Sequence, residues 1–166
     1  MNVKFKHQGM MVFIGYSTSI NKDEGTIKCP IIWEEFNQRF KDILNHQPPK
    51  NELEQAVFDY GIGTYGICID SSDHFDYWIC GRYEGGSIPQ GLKLITFLES
   101  DWAIFETKGK LPDSIQSLTS QILNDWFKNE GKNHLPKKIA MIEVYPSLDM
   151  DSDEYESKIL VPIINK

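Results

Sequence analysis

Ile139-Ala140-Met141-Ile142-Glu143-Val144-Tyr145 is the stretch on which the fold turns. Its β-branched and aromatic content reads as a β-strand, and side chains along a strand alternate between two faces. Ala140, Ile142 and Val144 share one face, a set suited to packing beneath a helix. Met141, Glu143 and Tyr145 share the other. Pattern alone leaves that second face open either to solvent or to a site. If it is buried, an isolated carboxylate is costly unless a ligand, a cation or hydrogen-bond donors compensate it. It can then pair with a cationic ligand, or shift its pKa and act as a general acid or base.

Outward from this strand the chain repeats one order. Trp102 to Thr107 reads as a strand, and Asp113 reads as a helix N-cap with Gln116 three residues later, resembling a capping box. Ile115, Leu118, Ile122 and Trp126 form the apolar face of that helix, which Asn129-Glu130-Gly131 ends. Ile139 to Tyr145 and Lys158 to Ile164 follow as strands, joined by the acidic turn Asp149 to Glu154. The same order stands earlier. Met11 to Ile20 is a strand, and Cys29-Pro30 opens a helix carrying Ile32, Phe36, Phe40, Ile43 and Leu44 to about Asn45. After Pro48-Pro49 come strands Tyr65 to Asp70 and Phe75 to Tyr83, flanking the turn Ser71-Ser72-Asp73-His74.

Strand–helix–strand–strand written twice predicts an α+β chain. Residues 1–166 form a single domain, with one repeat over about 10–84 and a second over about 100–165. The Gly/Pro-containing stretch Glu84 to Gly91 links them. The economical arrangement is one mainly antiparallel sheet with both helices on one face.

Bulk properties narrow the function. Of 166 residues, 40% are hydrophobic and 25% charged, within the globular range. The apolar runs are far shorter than the roughly 20 residues of a membrane helix, and the N-terminus lacks a secretion signal, so a cytoplasmic protein is expected. A net charge of -7, with 17 Lys+Arg against 24 Asp+Glu and no basic cluster, disfavours direct nucleic-acid binding. It suits a cationic ligand or a basic partner better. Cys29, Cys68 and Cys80 show no paired spacing and read as buried small hydrophobes.

Several motifs are set aside. Gly61-Ile62-Gly63-Thr64-Tyr65-Gly66 matches GxGxxG, but a polar segment precedes it and a strand follows, the reverse of a dinucleotide site. Asp149, Asp151 and Asp153 begin like a calcium loop, yet Glu154 takes the glycine position. His74 with Asp73 and Asp76 lacks a second histidine at ligand spacing. There is no nucleophile elbow, and neither a metal nor a cofactor is expected.

Trp33-Glu34-Glu35-Phe36, Tyr65-Gly66-Ile67, Phe75-Asp76-Tyr77 with Cys80-Gly81, Pro89-Gln90-Gly91-Leu92, Trp102-Ala103-Ile104-Phe105 with Gly109, Ile115-Gln116, Trp126 and Ile142-Glu143-Val144-Tyr145 together carry a resemblance. Over about Met11 to Ile163 the chain resembles the GyrI-like small-molecule-binding domain, also the effector-binding part of AraC-type and MerR-type multidrug regulators. The resemblance implies two βαββ units in pseudo-twofold relation with a ligand cleft between the halves. It implies a flat, aromatic, often cationic ligand whose positive charge meets Glu143. Tyr145, Tyr65, Tyr77, Trp33, Met141 and Phe105 are the candidates for the lining. It further implies a stand-alone member without a DNA-binding region. Two alternatives follow from the same family: a hydrolase of cyclopropane-bearing molecules using Glu143 as general base, and a modulator of DNA gyrase by protein contact.

Overall fold

The structure, a computed structural model, describes residues 1–136, 140–146 and 149–165. Its strands are β1 (Val3–Gln8), β2 (Met11–Asn21), β3 (Tyr65–Asp70), β4 (His74–Arg82), β5 (Lys93–Phe97), β6 (Ser100–Lys108), β7 (His134–Pro136), β8 (Ala140–Val144) and β9 (Glu156–Asn165). Its helices are α1 (Gly25–Arg39), α2 (Lys41–Leu44), α3 (Glu52–Tyr60) and α4 (Asp113–Gln121), the last running on into a π-turn over Ile122–Trp126. The expected strand beginning at Ile139 is described from Ala140; Ile139 itself lies outside the described residues.

All strands join one antiparallel sheet in the order β1-β6-β9-β8-β3-β4-β2-β5, with β7 also on β9. The fold is α+β, as the pattern predicts. β8 pairs with β3 near the centre of the order, so the strand bearing Glu143 is interior, with β9 on its other side.

Helices α1 and α4 both lie over the Met141/Glu143/Tyr145 face. Ile115, Leu118, Ile122 and Trp126 pack there with Met141, Tyr145, Phe105 and Ile159. Phe36 and Phe40 of α1 pack with Ile14, Tyr77 and Ile79. The expectation that Ala140, Ile142 and Val144 form the helix-covered face is therefore corrected. Ile142 is fully buried without a helix, in a cluster with Met11, Phe13, Ile67, Cys80 and Trp102. Curvature buries it. β5 ends the strand order and β6 stands near its beginning, yet only Leu98 and Glu99 connect them, so the twisted sheet curls its ends together. The ring of Phe97 meets that of Trp102 at 5.6 Å, and Phe13 meets Phe97 at 6.0 Å and Tyr65 at 5.1 Å.

Local signals explain the other differences. The first helix starts four residues before Cys29, and Pro30 lies inside it at the sixth position, where its missing N–H leaves the Thr26 carbonyl without a helical donor. Helix α3 was unexpected, although its caps are legible. Asn51 accepts from the Glu54 N–H at 2.8 Å, the Lys50 N–H donates to Glu54 at 2.6 Å, and Gly61 ends the helix in the left-handed region at φ 61°. Asp113 does not cap α4. It is the first helical residue, and Gln116 instead donates from Nε2 to the Thr26 carbonyl of α1 at 3.2 Å. No helix among the described residues is long and apolar enough to cross a membrane.

Candidate functional site

Between α1, α4 and the sheet lies a cleft of about 840 Å³. Strand register sets its floor. Met141 of β8 stands opposite Cys68 of β3, which stands opposite Tyr77 of β4; in the adjacent row Glu143, Gly66 and Ile79 stand in line. Glu143 and Tyr77 thus share a face two strands apart, with a glycine between them over which their long side chains meet. The glycine is needed. A Cβ on Gly66 would fall 2.5 Å from Glu143 Oε2 and 2.5 Å from the Tyr77 hydroxyl, so the carboxylate sits directly over the Gly66 backbone.

Glu143 is 9% exposed and receives two phenolic protons on one oxygen. Tyr77 donates to Oε2 at 2.6 Å and Tyr145 donates to the same oxygen at 2.5 Å. Trp33, reaching in from α1, donates its indole N–H to the Tyr77 oxygen at 2.7 Å and sets its ring edge-on to Tyr145 at 5.2 Å. This Trp33–Tyr77–Glu143–Tyr145 chain orients every polar atom toward Oε2. Among the described residues no basic side chain contributes to the balance at Glu143. Burial raises its pKa above the ordinary 4.5, opposed by the hydrogen bonds from Tyr145 and Tyr77.

The neighbouring groups respond to the same burial and the same charge. The hydroxyls of Tyr77 and Tyr145 are pushed well above their usual range, first by burial and then by Glu143. Both therefore remain donors at neutral pH. Cys29 and Cys68 line the cleft and are not plain core cysteines as expected; Cys80 alone is fully buried. Burial pushes the Cys29 thiol up to about 12, with Glu143 adding to it, and raises Cys68 for the same reasons. Neither offers a thiolate.

The structure brings Glu143, Tyr145, Tyr77, Trp33 and Met141 together in the cleft wall. It does not bring Tyr65 or Phe105 there. Tyr65 stands opposite Cys80 and Val144, hence on the curled face against Phe13. Phe105 shares the Glu143 face, but it is fully buried beneath Trp126, whose ring meets it edge-on at 5.0 Å. Sequence reasoning missed Gly66 as a site residue. Its signal was present in Tyr65-Gly66-Ile67, a glycine inside a strand, which marks close approach by another group. It also missed the contribution of α4 and the residue before it: Pro112, Ile115 and Thr119. No cluster of metal-ligating side chains occurs among the described residues; His74 pairs with Asp73 at 2.8 Å in its turn.

A family model for the GyrI-like small molecule binding domain matches residues 1–164. No curated protein sequence matches the chain significantly. Among solved structures, SAV2435 bound to tetraphenylphosphonium is similar with a TM-score of 0.77 at 17% identity, covering 99% of this chain and 94% of that one. A Staphylococcus aureus MU50 protein is similar with a TM-score of 0.73 at 19% identity, covering 98% of each chain. The EcmrR C-terminal domain is similar with a TM-score of 0.59 at 11% identity, covering 99% of this chain and 98% of that one. At these identities the structural likeness speaks for the fold.

Proposed function

The chain belongs to the GyrI-like small molecule binding family, and from that premise we propose that its cleft captures a lipophilic aromatic cation with Glu143 as the charge partner. One observation carries the reading: a carboxylate 9% exposed, supported by two phenol donors, with no cation beside it among the described residues. A buried carboxylate without a cation is costly, and a positively charged guest removes that cost. Trp33, Tyr77 and Tyr145 add ring surfaces, each worth about 0.5–2 kcal/mol to a desolvated cation. The similar protein SAV2435 was solved with tetraphenylphosphonium, a guest of this class.

Tetraphenylphosphonium titration with a thermal-shift readout tests the reading. A ligand at 100 times its dissociation constant stabilises a protein by about 2.7 kcal/mol. Glu143→Gln keeps the shape and an acceptor for both tyrosines but removes the charge, so cation affinity falls roughly tenfold or more, about 1.4 kcal/mol per factor of ten. Equal binding by the wild type and the variant rules out Glu143 as the charge partner.

The raised pKa of Glu143 favours a second reading, a hydrolase in which this carboxylate acts as general base on an electrophilic guest. Turnover of a cyclopropane-bearing substrate that disappears in Glu143→Gln while binding persists would select it.

A further inference from the structure

The cleft carries a second anionic pole on the same strand face. In β3, Gly66, Cys68 and Asp70 alternate onto the cleft side, and Asp70 lines the cleft wall. The Glu143 carboxylate sits over Gly66, so its separation from Asp70 follows the strand. Four residues at roughly 3.3 Å each give about 13 Å. Tyr77 and Phe75 of β4, on the same face and opposite Cys68 and Asp70, pave the interval with aromatic rings. Asp70 differs from the other rim carboxylates, Glu34 and Asp151, which are exposed. It is part-buried and held by the sheet.

Asp70 is also occupied. Lys22, on the turn that leads into α1, places Nζ 2.9 Å from Asp70 Oδ1, and Lys22 itself lines the cleft. With side chains 44% and 27% exposed, this pair is weak and readily exchanged. The free protein therefore presents one pole, at Glu143, that no cation among the described residues matches, and one covered by a movable lysine.

We propose that the cleft selects elongated dications, with one permanent charge at Glu143 and the other about 13 Å away at Asp70, where it displaces Lys22. Asp70 is the specificity-determining residue and Lys22 an internal competitor for it. This rests on the cation-capture reading above and adds the charge number and spacing of the ligand.

Titration calorimetry with matched probes tests it: decane-1,10-bis(trimethylammonium), its single-headed analogue decyltrimethylammonium, and the shorter hexane-1,6-bis(trimethylammonium). The long dication binds the wild type about two- to fivefold more tightly than the other two, the yield of one partly exposed ion pair. Asp70→Asn brings it down to the single-headed level, and retained tetraphenylphosphonium binding by the same variant reports that the cleft is intact. Lys22→Gln strengthens the long dication alone. Equal affinity for the long dication and its single-headed analogue, or an advantage that survives Asp70→Asn, overturns the inference while tetraphenylphosphonium binding keeps the cation reading. Failure of all four cations to bind overturns both.

Discussion

The Tyr77 hydroxyl performs two tasks with one oxygen, accepting from Trp33 at 2.7 Å and donating to Glu143 at 2.6 Å. Tyr77→Phe keeps the ring, which is 2% exposed, and so isolates the hydroxyl. A hydrogen bond to a charged group contributes about 1.5–3 kcal/mol, whereas one between neutral groups contributes about 0.5–1.5 kcal/mol. The substitution should therefore cost more when Glu143 is ionised than when it is protonated. The Trp33 N–H, left without its acceptor, can turn to cleft water, so its share is about 1 kcal/mol or less and does not depend on pH. The expected loss is about 1 kcal/mol below the ionisation of Glu143 and about 2–3 kcal/mol above it. The difference corresponds to raising the Glu143 pKa still further in the variant. Urea denaturation of both proteins across a pH series measures this, with equal m-values confirming that only stability changed. A loss of the same size at every pH would refute the assignment of Tyr77 as a donor to the ionised carboxylate.

Three further outcomes follow from the same geometry. Gly66→Ala should destabilise by about 1–3 kcal/mol and weaken tetraphenylphosphonium binding, because its Cβ meets Glu143 and Tyr77 at 2.5 Å; Gly9→Ala, with nothing within 4 Å, is the control that should change stability little in the same melts. Because the folded pKa of Glu143 lies above its unfolded value, the native state holds more protons between the two. The stability contributed by this group is present below about 4.5 and falls as pH rises through the raised value, a slope that Glu143→Gln should remove from a pH series of melts. A cation selects the ionised form, so affinity should rise through that same window and level off above it; calorimetry in buffers of different ionisation enthalpy should detect proton release on binding within the window.

The site was more legible than the packing around it. Alternation in β8 is a local property of extended backbone, so Met141, Glu143 and Tyr145 could be grouped before any fold was known. Helical spacing likewise put Phe36 and Phe40 on one stripe, and Ile115 and Leu118 on another. Relative parity within β3 was equally readable: Gly66 and Cys68 on one side, Tyr65 and Ile67 on the other. Which side of β3 joins Glu143 was not readable, since it depends on the register between β3 and β8, set by residues more than 70 positions apart. Tyr65 was misplaced for that reason, and Phe105 because only the π-turn after α4 sets Trp126 over it.

Composition and periodicity by themselves determined an α+β chain with interleaved strands and helices, an acidic balance and one carboxylate in an apolar strand. Those are properties of neighbouring residues along the backbone. Tertiary structure decided which sheet face the helices cover, because the curl that brings Phe97 to Trp102 buries the opposite face without them. It also decided that two tyrosines and a tryptophan converge on Glu143 over the space left by Gly66. The burial that raises the pKa of Glu143 comes from elements distant in the chain, and no short stretch of sequence carries it.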